Sequence, residues 1–301
     1  MSQSLNQNQP EATPAFVDTK AVQRAFSRAA ATYSQHDFLA REIDRRMLER
    51  LDYVRIEPQR IVDLGCSLGV SLPALRQRYP QAFALGVDFS PAMLARAQAL
   101  IPAWRRWLPI TRPSLAYLGG DANALPLAHS SAGLIWSNLL LHWLDDPRPA
   151  FAEAHRVLEV GGLLMFSCLG PDSFKELRSA FADGYVHTQR FADMHDLGDM
   201  LVHAGFADPV MDMEVLTLTY ESFDALLAEL RSSGSHNAMH ARSHGLSGRG
   251  VWRAVREAYG RLAVDGRLPV TIEVVYGHAW KALPKKTADG RSVIQFSKRS
   301  K

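Results

Sequence analysis

Apolar positions along this chain repeat with two periods, one helical and one extended, and the two alternate. From Phe16 to Leu51 the sequence is rich in helix formers, with apolar residues at Phe26, Ala30, Leu39, Ile43 and Met47, a spacing that predicts one or two helices. Pro58 breaks the pattern. The β-branched run from Arg60 to Leu64, ending in Asp-Leu-Gly, predicts a strand, and Leu72 to Arg78 a helix. A second strand is expected over Ala82 to Val87, then a helix opened by Ser90 as N-cap and Pro91 at its first position. Ser114 to Leu118 and Ala132 to Trp136 read as strands three and four. Pro149 to Leu158 reads as a helix stopped by Gly161-Gly162, and Leu163 to Cys168 as strand five.

Strands alternating with helices at this spacing predict an α/β fold built on a parallel, doubly wound sheet. Ligands of such sheets bind beyond the carboxyl ends of the strands. The second half keeps the same beat and then leaves it. Asp193 to Ala204 predicts a helix closed by Gly205, Pro209 to Tyr220 a long strand, and Val270 to Trp280 its antiparallel partner at the sheet edge. Between these strands lie nearly fifty residues (221–267), with helical patterns at Phe223 to Leu230 and Val251 to Leu262. Hairpin loops normally run to about two to five residues, and longer connections tend to be lids or binding elements. The expected organisation is a leader without order over 1–15, one domain over 16–281, and a basic tail over 282–301. Within the domain, 16–57 and 221–267 are expected to form a cap over the ligand site.

Composition adds little to this until its distribution is considered. The chain is 47% hydrophobic and 22% charged, ordinary for a globular protein. No run approaches the roughly eighteen apolar residues of a membrane span. Two cysteines, Cys66 and Cys168, are too few for a disulfide framework and suit the reducing cytoplasm. The leader lacks the arginine-rich amphipathic pattern of a mitochondrial import signal. The net charge of +3 is too small to imply nucleic acid, but seven arginines between Arg231 and Arg267 face only Glu257 and Asp265. Such a run is either a solvated face or a docking surface for an acidic partner.

Three turns carry the chemistry. Asp63-Leu64-Gly65-Cys66-Ser67-Leu68-Gly69 joins the first strand to a helix, where glycines admit a ligand close to the backbone and a helix start offers free N–H groups. It lacks the G-x-G-x-x-G spacing of a dinucleotide loop. Asp88 ends the second strand, where a carboxylate can accept both ribose hydroxyls. Gly120-Asp121-Ala122 follows the third, where a carboxylate can accept an exocyclic adenine amine. Any one of these turns could be an ordinary β–α connection with a capping Asp; together they are far more specific.

In sequence these turns are D-x-G-x-x-x-G, G-V-D-x-S and G-D-A-x-x-L-P, and they resemble those of class I S-adenosylmethionine methyltransferases. Ser67 departs from that pattern, standing where many members have a middle glycine. The resemblance implies a Rossmann-like, seven-stranded sheet, mostly parallel with an antiparallel edge hairpin, plus a helical cap. It also implies S-adenosylmethionine as cofactor and S-adenosylhomocysteine as product. By it, Asp88 holds the ribose, Asp121 with Ala122 the adenine, and Gly65 with Asp63 the methionine end, with Cys66, Gly69 and Phe89 as further cofactor-binding residues. Asn138, after the fourth strand, falls beside the sulfonium; its plain reading is a helix N-cap, and both can hold. Cys66 reads as a small filler and not a nucleophile, since nothing cationic nearby in sequence would lower its pKa.

Further motifs resemble the malonyl-carrier-protein methyltransferase family of biotin synthesis. They include Ala30-Ala31-Thr32-Tyr33, Ser137-Asn138-Leu139-Leu140-Leu141-His142-Trp143, Leu169-Gly170-Pro171-Asp172, Asp193-Met194-His195-Asp196 and Val275-Tyr276-Gly277-His278-Ala279-Trp280. The similarity runs from about Phe26 to Trp280. The same motifs resemble a mitochondrial assembly factor of respiratory complex I, a methyltransferase-like protein thought to hydroxylate an arginine. The first resemblance implies methylation of the free carboxylate of a malonyl thioester on acyl carrier protein, or of malonyl-CoA. Such a carboxylate is ionised at neutral pH and needs no strong base; it needs in-line placement and a clamp on one oxygen. Arg231, Asn237, Arg242 and Arg249 are the candidates for the clamp, with a surface position the alternative for each. Arg253, Arg256 and Arg261 recur at helical spacing, as a solvated stripe or a grip on the acidic carrier. Tyr33 is a candidate gate or hydrogen-bond donor over the methyl site, or a core aromatic. His236, His240 and His244 lack a Cys or acid to complete a metal set. His195 and Trp143 read as packing or pocket-lining residues.

Overall fold

The computed structural model describes residues 16–101, 114–181, 183–243, 245 and 248–283. The leader expected over 1–15, the tail beyond Leu283 and His244 lie outside the described residues.

Each predicted strand forms, with its ends moved by a residue or two except in β5. The strands are β1 (Arg60–Leu64), β2 (Phe83–Asp88), β3 (Leu115–Gly119), β4 (Ala132–Asn138), β5 (Leu158–Leu169), β6 (Ala207–Tyr220) and β7 (Leu268–Trp280). They make one seven-stranded sheet in the order β3-β2-β1-β4-β5-β7-β6. The five strands β1 to β5 pair in parallel, and β7 runs antiparallel to both β5 and β6. The switch point between β1 and β4 is the crevice in which such sheets bind ligands.

The described helices are α1 (Thr19–Ala29), α2 (Phe38–Leu51), α3 (Leu72–Arg78), α4 (Pro91–Ala99), α5 (Arg148–Val157), α6 (Lys175–Ala180), α7 (Met194–His203), α8 (Phe223–Ser232) and α9 (Arg249–Gly260). Ser90 caps α4 as expected, its side chain accepting from the Met93 N–H, with Pro91 in the first turn. One expected stop is corrected. Gly161-Gly162 does not end α5, which finishes at Val157; Leu158 turns at once into extended backbone and opens β5. The glycines instead lie inside that strand, where Gly161 takes φ +82° and donates to the Lys281 carbonyl at 2.7 Å. Gly161 is needed for its left-handed backbone, whereas at Gly162 a Cβ would stand 2.9 Å from the Glu159 carbonyl.

Two cores sandwich the sheet. One face buries α5 and α7 against Val62, Ile135, Leu164 and Phe166. The other buries Ile43, Met47 and Leu51 of α2 together with Phe223 and Leu226 of α8 and Val255 and Tyr259 of α9, all against Trp136, Met165, Ile272 and Val274. At roughly 2 kcal/mol for each fully buried Leu or Ile, this second core is what holds the inserted helices to the sheet. The N-terminal segment then straps onto the insertion. Val17 pairs with Met239 in an isolated antiparallel bridge, the Asp18 N–H donates to Ala238 at 2.8 Å, and Val17, Val22, Ala238 and Met239 share a small core. Segments 16–57 and 221–267, called the cap below, are therefore joined to each other as well as to the sheet.

Candidate active site

The ends of β1, β2 and β4 and the cap enclose a cavity of about 480 Å³. Its floor is the turn after β1. Gly65 and Cys66 both donate to the Val87 carbonyl, at 2.8 and 3.1 Å, pinning the turn to β2. Gly65 (φ +75°), Ser67 (φ +48°) and Gly69 (φ +71°) are left-handed at alternate positions. Ser67 thus adopts the conformation that the usual glycine would supply, and its N–H donates to Asp88 Oδ2 at 2.9 Å. A side chain on Gly65 would press on Leu140, 3.1 Å away. Gly69 is conformational: it does not line the cavity, and a Cβ there would stand 2.9 Å from Tyr117 Cε1.

The other strand-end residues expected at the cofactor all line the cavity: Asp63, Gly65, Cys66, Asp88, Phe89, Asp121, Ala122 and Asn138. Asp88 is held between two turns, accepting from Ser67 and, at 2.8 Å, from the Ser90 N–H. Burial raises its pKa, and these backbone donors oppose the rise. Asp121 shapes its own turn by accepting from the Asn123 N–H at 2.9 Å and is exposed. Phe89 offers its carbonyl to Gln23 Nε2 at 2.6 Å, tying α1 to β2. Burial, with Asp63 and Asp88 nearby, pushes the Cys66 thiol well up, so it stays protonated and is no nucleophile.

Asn138 does not cap a helix. Its amide donates to the Ala40 carbonyl of α2 at 2.8 Å and accepts from Ser167 Oγ at 2.7 Å, so the side chain braces β4 against α2 and β5. The short 3₁₀ turn that follows (Leu141–Trp143) has no side-chain cap.

The cavity is strongly acidic. Asp37, Asp44, Asp63, Asp88, Asp121, Asp145 and Glu229 line it, against Arg41 and Arg231. Asp44 is occupied by Trp136 Nε1 at 3.0 Å and Ser71 Oγ at 2.7 Å. Asp63 is fully buried and its Oδ2 has no partner. Burial raises its pKa well above the usual carboxylate range, and the charges of Asp44 and Asp88 raise it further. An orphaned buried carboxylate oxygen is costly. A cation held against it would remove that cost, and S-adenosylmethionine carries two positive groups, an ammonium and a sulfonium. The residues present fit that cofactor.

The acceptor-side expectations divide. Tyr33 lines the cavity, its phenol pushed up to about 12 by burial, with Ser67 hydrogen bonding opposing the rise. Arg231 lines it from an exposed position at the end of α8. Asn237 lines it too, but its Nδ2 donates to the Val186 carbonyl at 2.6 Å and its Oδ1 accepts from Met239, so the side chain fastens the insertion to the loop after α6. Arg242 and Arg249 do not line the cavity. Arg242 donates to Met239 O at 2.8 Å and to Asp18 Oδ2 at 3.1 Å, locking the N-terminal strap where a clamp was expected. Trp143 lines the cavity edge-on to Phe26, with 5.2 Å between ring centroids, whereas His195 is exposed and pairs with Asp193.

Two residues that the sequence reading did not single out as site residues stand in the wall. Gln189, in the loop after α6, is buried with neither its Nε2 nor its Oε1 bonded, and it lines the cavity. His142 is buried, accepts weakly through Nδ1 from the Leu169 N–H at 3.4 Å, and has its pKa lowered by burial to about 3, so the imidazole is neutral. Neither had a sequence signal of its own: Gln189 falls in an aperiodic stretch, and His142 was embedded in an apolar motif. Among the described residues no group of three or more His, Cys, Asp or Glu is placed to hold a metal.

Sheet order, crevice and acidic turns together define a class I methyltransferase. A family described as "Methyltransferase domain" matches residues 62–166. Solved structures agree on the fold: the YcgJ protein of Bacillus subtilis (TM-score 0.56, 14% identity) covers 79% of this chain and 98% of its own. A putative methyltransferase of Bacillus halodurans (TM-score 0.56, 16% identity) covers 80% and 99%. Curated relatives are far closer in sequence. A malonyl-[acyl-carrier protein] O-methyltransferase of Nitrosospira multiformis is 46% identical over 280 residues, 90% of this chain and 91% of that one. Its counterpart in Laribacter hongkongensis is 48% identical over 288 residues, 93% and 96% of the two chains. The chain belongs to the malonyl-[acyl-carrier protein] O-methyltransferase family.

Proposed function

We propose that this enzyme methylates the free carboxylate of a malonyl thioester carried by acyl carrier protein, giving the malonyl methyl ester from which a pimeloyl chain for biotin can grow. Bound S-adenosylmethionine supplies the methyl group as an electrophile. Residues 16–281 act as one domain, with 16–57 and 221–267 as its cap. Buried free cysteines accord with a cytoplasmic setting.

The observation that carries this reading, beside near-full-length similarity to enzymes of that name, is the absence of demand for proton transfer. A malonyl carboxylate is ionised at neutral pH. His142, with a pKa near 3, is a weak base, and Tyr33, near 12, is a weak acid. Neither is poised for general acid–base work at neutrality. Both are suited to shaping a dry wall and offering fixed dipoles.

The chain's residues then have positional tasks. Asp63 faces the cationic end of the cofactor, Asp88 and Phe89 its ribose, and Asp121 with Ala122 its adenine; Gly65 and Cys66 give it a close backbone floor. Gln189 offers the acceptor an amide N–H. A neutral donor on one oxygen leaves the other more nucleophilic than a bidentate guanidinium would, because charge-assisted bonds are about twice as strong. Arg231, at the rim, draws the acceptor's negative charge towards an otherwise acidic cavity. Tyr33 closes the space over the methyl position.

Incubation with methyl-labelled S-adenosylmethionine and malonyl-carrier protein tests this directly. An alkali-labile methyl ester on the carrier is the expected product. A preparation that binds cofactor yet forms no such ester overturns the reading. No feature of the site favours the assembly-factor alternative.

A further inference from the structure

Helix α1 carries Ala21, Arg24, Ala25 and Arg28 at i, i+3, i+4 and i+7, one face of a helix. With His236 of the insertion these residues form an open depression of about 350 Å³. His236 also lines the main cavity, so the depression and the cavity share that wall. Burial lowers the His236 pKa, a hydrogen bond to the Arg231 backbone opposes this, and the charges of Arg231 and Arg28 lower it further. Arg24 and Arg28 thus line the depression directly, and Arg231 stands close enough to its His236 wall to act on it together with Arg28.

Their charge is only weakly compensated. On α2, Arg41, Arg45, Arg46 and Arg50 each pair with carboxylates at hydrogen-bonding distance. On α1 the situation differs. Arg24 reaches only Asp18, at 3.9 Å, and that carboxylate already accepts from Arg242 at 3.1 Å and from the Ala21 N–H. Arg28 and Arg231 have no ion pair among the described residues. The two alanines leave the floor open, so that an anion can settle between the arginine forks. Planar guanidinium groups match a phosphate in geometry as well as charge.

We infer that this depression is a phosphate subsite, and that it takes the phosphate of the phosphopantetheine arm whose thioester end enters the cavity. The inference rests on the acceptor proposed above. The arm is common to acyl carrier protein and coenzyme A, so the subsite serves both, in contrast to a surface that touches the carrier's own residues.

The test is a double variant, Arg24→Gln with Arg28→Gln, assayed with malonyl-carrier protein, malonyl-CoA and malonyl-pantetheine, which lacks the phosphate. Circular dichroism and S-adenosylhomocysteine binding check that fold and cofactor site are intact. KM is expected to rise about tenfold for the two phosphorylated acceptors, the size of a lost charge-assisted hydrogen bond, with kcat little changed. Malonyl-pantetheine should show the same KM with variant and wild type. An equal change for all three acceptors, or none for any, overturns the subsite while leaving the acceptor reading intact. Failure of the wild type to methylate any of the three overturns both.

Discussion

The two walls of the cavity are built by different means. The strand-end wall is delivered by consecutive β–α turns of one sheet, and its residues are fixed by backbone bonds: Gly65 and Cys66 to Val87, Asp88 to Ser67 and Ser90. The cap wall comes from segments 16–57 and 221–267, stitched to each other and to the loop after α6 by single contacts such as Asp18 to Ala238, His36 to Glu229 at 2.7 Å and Asn237 to Val186. The first wall has its geometry preset. The second holds few backbone ladders and gets its shape from side-chain pairs, the kind of construction that opens at low cost. A methyltransferase needs both, since a fixed donor site and an admitting acceptor site are required for one in-line transfer.

The largest effect should follow from removing the keystone of the preset wall. Asp88→Ala takes away a carboxylate that holds two backbone N–H groups and is assigned to the ribose. Affinity for S-adenosylhomocysteine, measured by calorimetry, should fall about a thousandfold, as expected for two charge-assisted hydrogen bonds at roughly 2 kcal/mol each. Asn237→Ala, a cap residue with a similar number of bonds, should leave that affinity within about threefold. Equal losses would erase the distinction between the walls.

Acid tests the strand-end wall next. His142 belongs to the sheet side, and its folded pKa of about 3 lies below its unfolded value of 6.5. The native state therefore excludes a proton that the unfolded chain accepts, so the stability it contributes is complete above pH 6.5 and is lost as pH falls towards 3. Asp63 works the other way: its raised carboxyl takes a proton more readily when folded, which favours the native state as pH falls. His142→Asn keeps an acceptor for Leu169 and removes the titration. Between pH 6.5 and 4.5 the wild type should lose about 2–3 kcal/mol more than this variant in urea titrations, at about 1.4 kcal/mol per unit. Parallel slopes would show that His142 is not held neutral.

The preset wall was legible in the sequence, and the cap wall only in outline. Asp63, Gly65, Asp88 and Asp121 could be located because each stands at or just beyond the end of a short apolar run that reads as a strand, and the sheet then dictates where it stands. The Asp63–Gly69 turn and the Ser90 cap were equally local. Asn138 was placed at the right spot with the wrong partner, because Ala40 is 98 residues away and nothing local names it. Arg242 and Asn237 were sensible clamp candidates by type; what they do was decided by Asp18 and Val186, which the chain brings in from elsewhere. Gln189 had no periodicity around it, and only burial without a partner exposes it.

Gln189 is the sharpest probe of the adaptable wall. Gln189→Met keeps the length and removes both unpartnered amide atoms. Burying a polar group without a bond is unfavourable, so the apo variant should be as stable as the wild type or slightly more so. Its kcat/KM for malonyl-carrier protein should nevertheless drop about tenfold, one neutral hydrogen bond to the acceptor. A variant both stable and fully active would remove Gln189 from the site.

The smallest effect belongs to the outermost layer. Arg253 and Arg256 lie exposed on α9, and Arg256 donates to Asp224 at 2.6 Å. Exposed pairs of this kind contribute at most about 1 kcal/mol, so Arg253→Glu with Arg256→Glu should fold normally. If α9 grips the acidic carrier, KM for malonyl-carrier protein should rise about threefold at low salt, and the difference should shrink near 0.5 M salt, where screening acts within roughly 4 Å. Malonyl-CoA should be unaffected. The α1 pair makes the opposite demand, with both acceptors weakened together. Two basic patches on one cap thus give two distinct signatures, and the carrier-to-CoA ratio tells which patch reads the protein and which reads the arm.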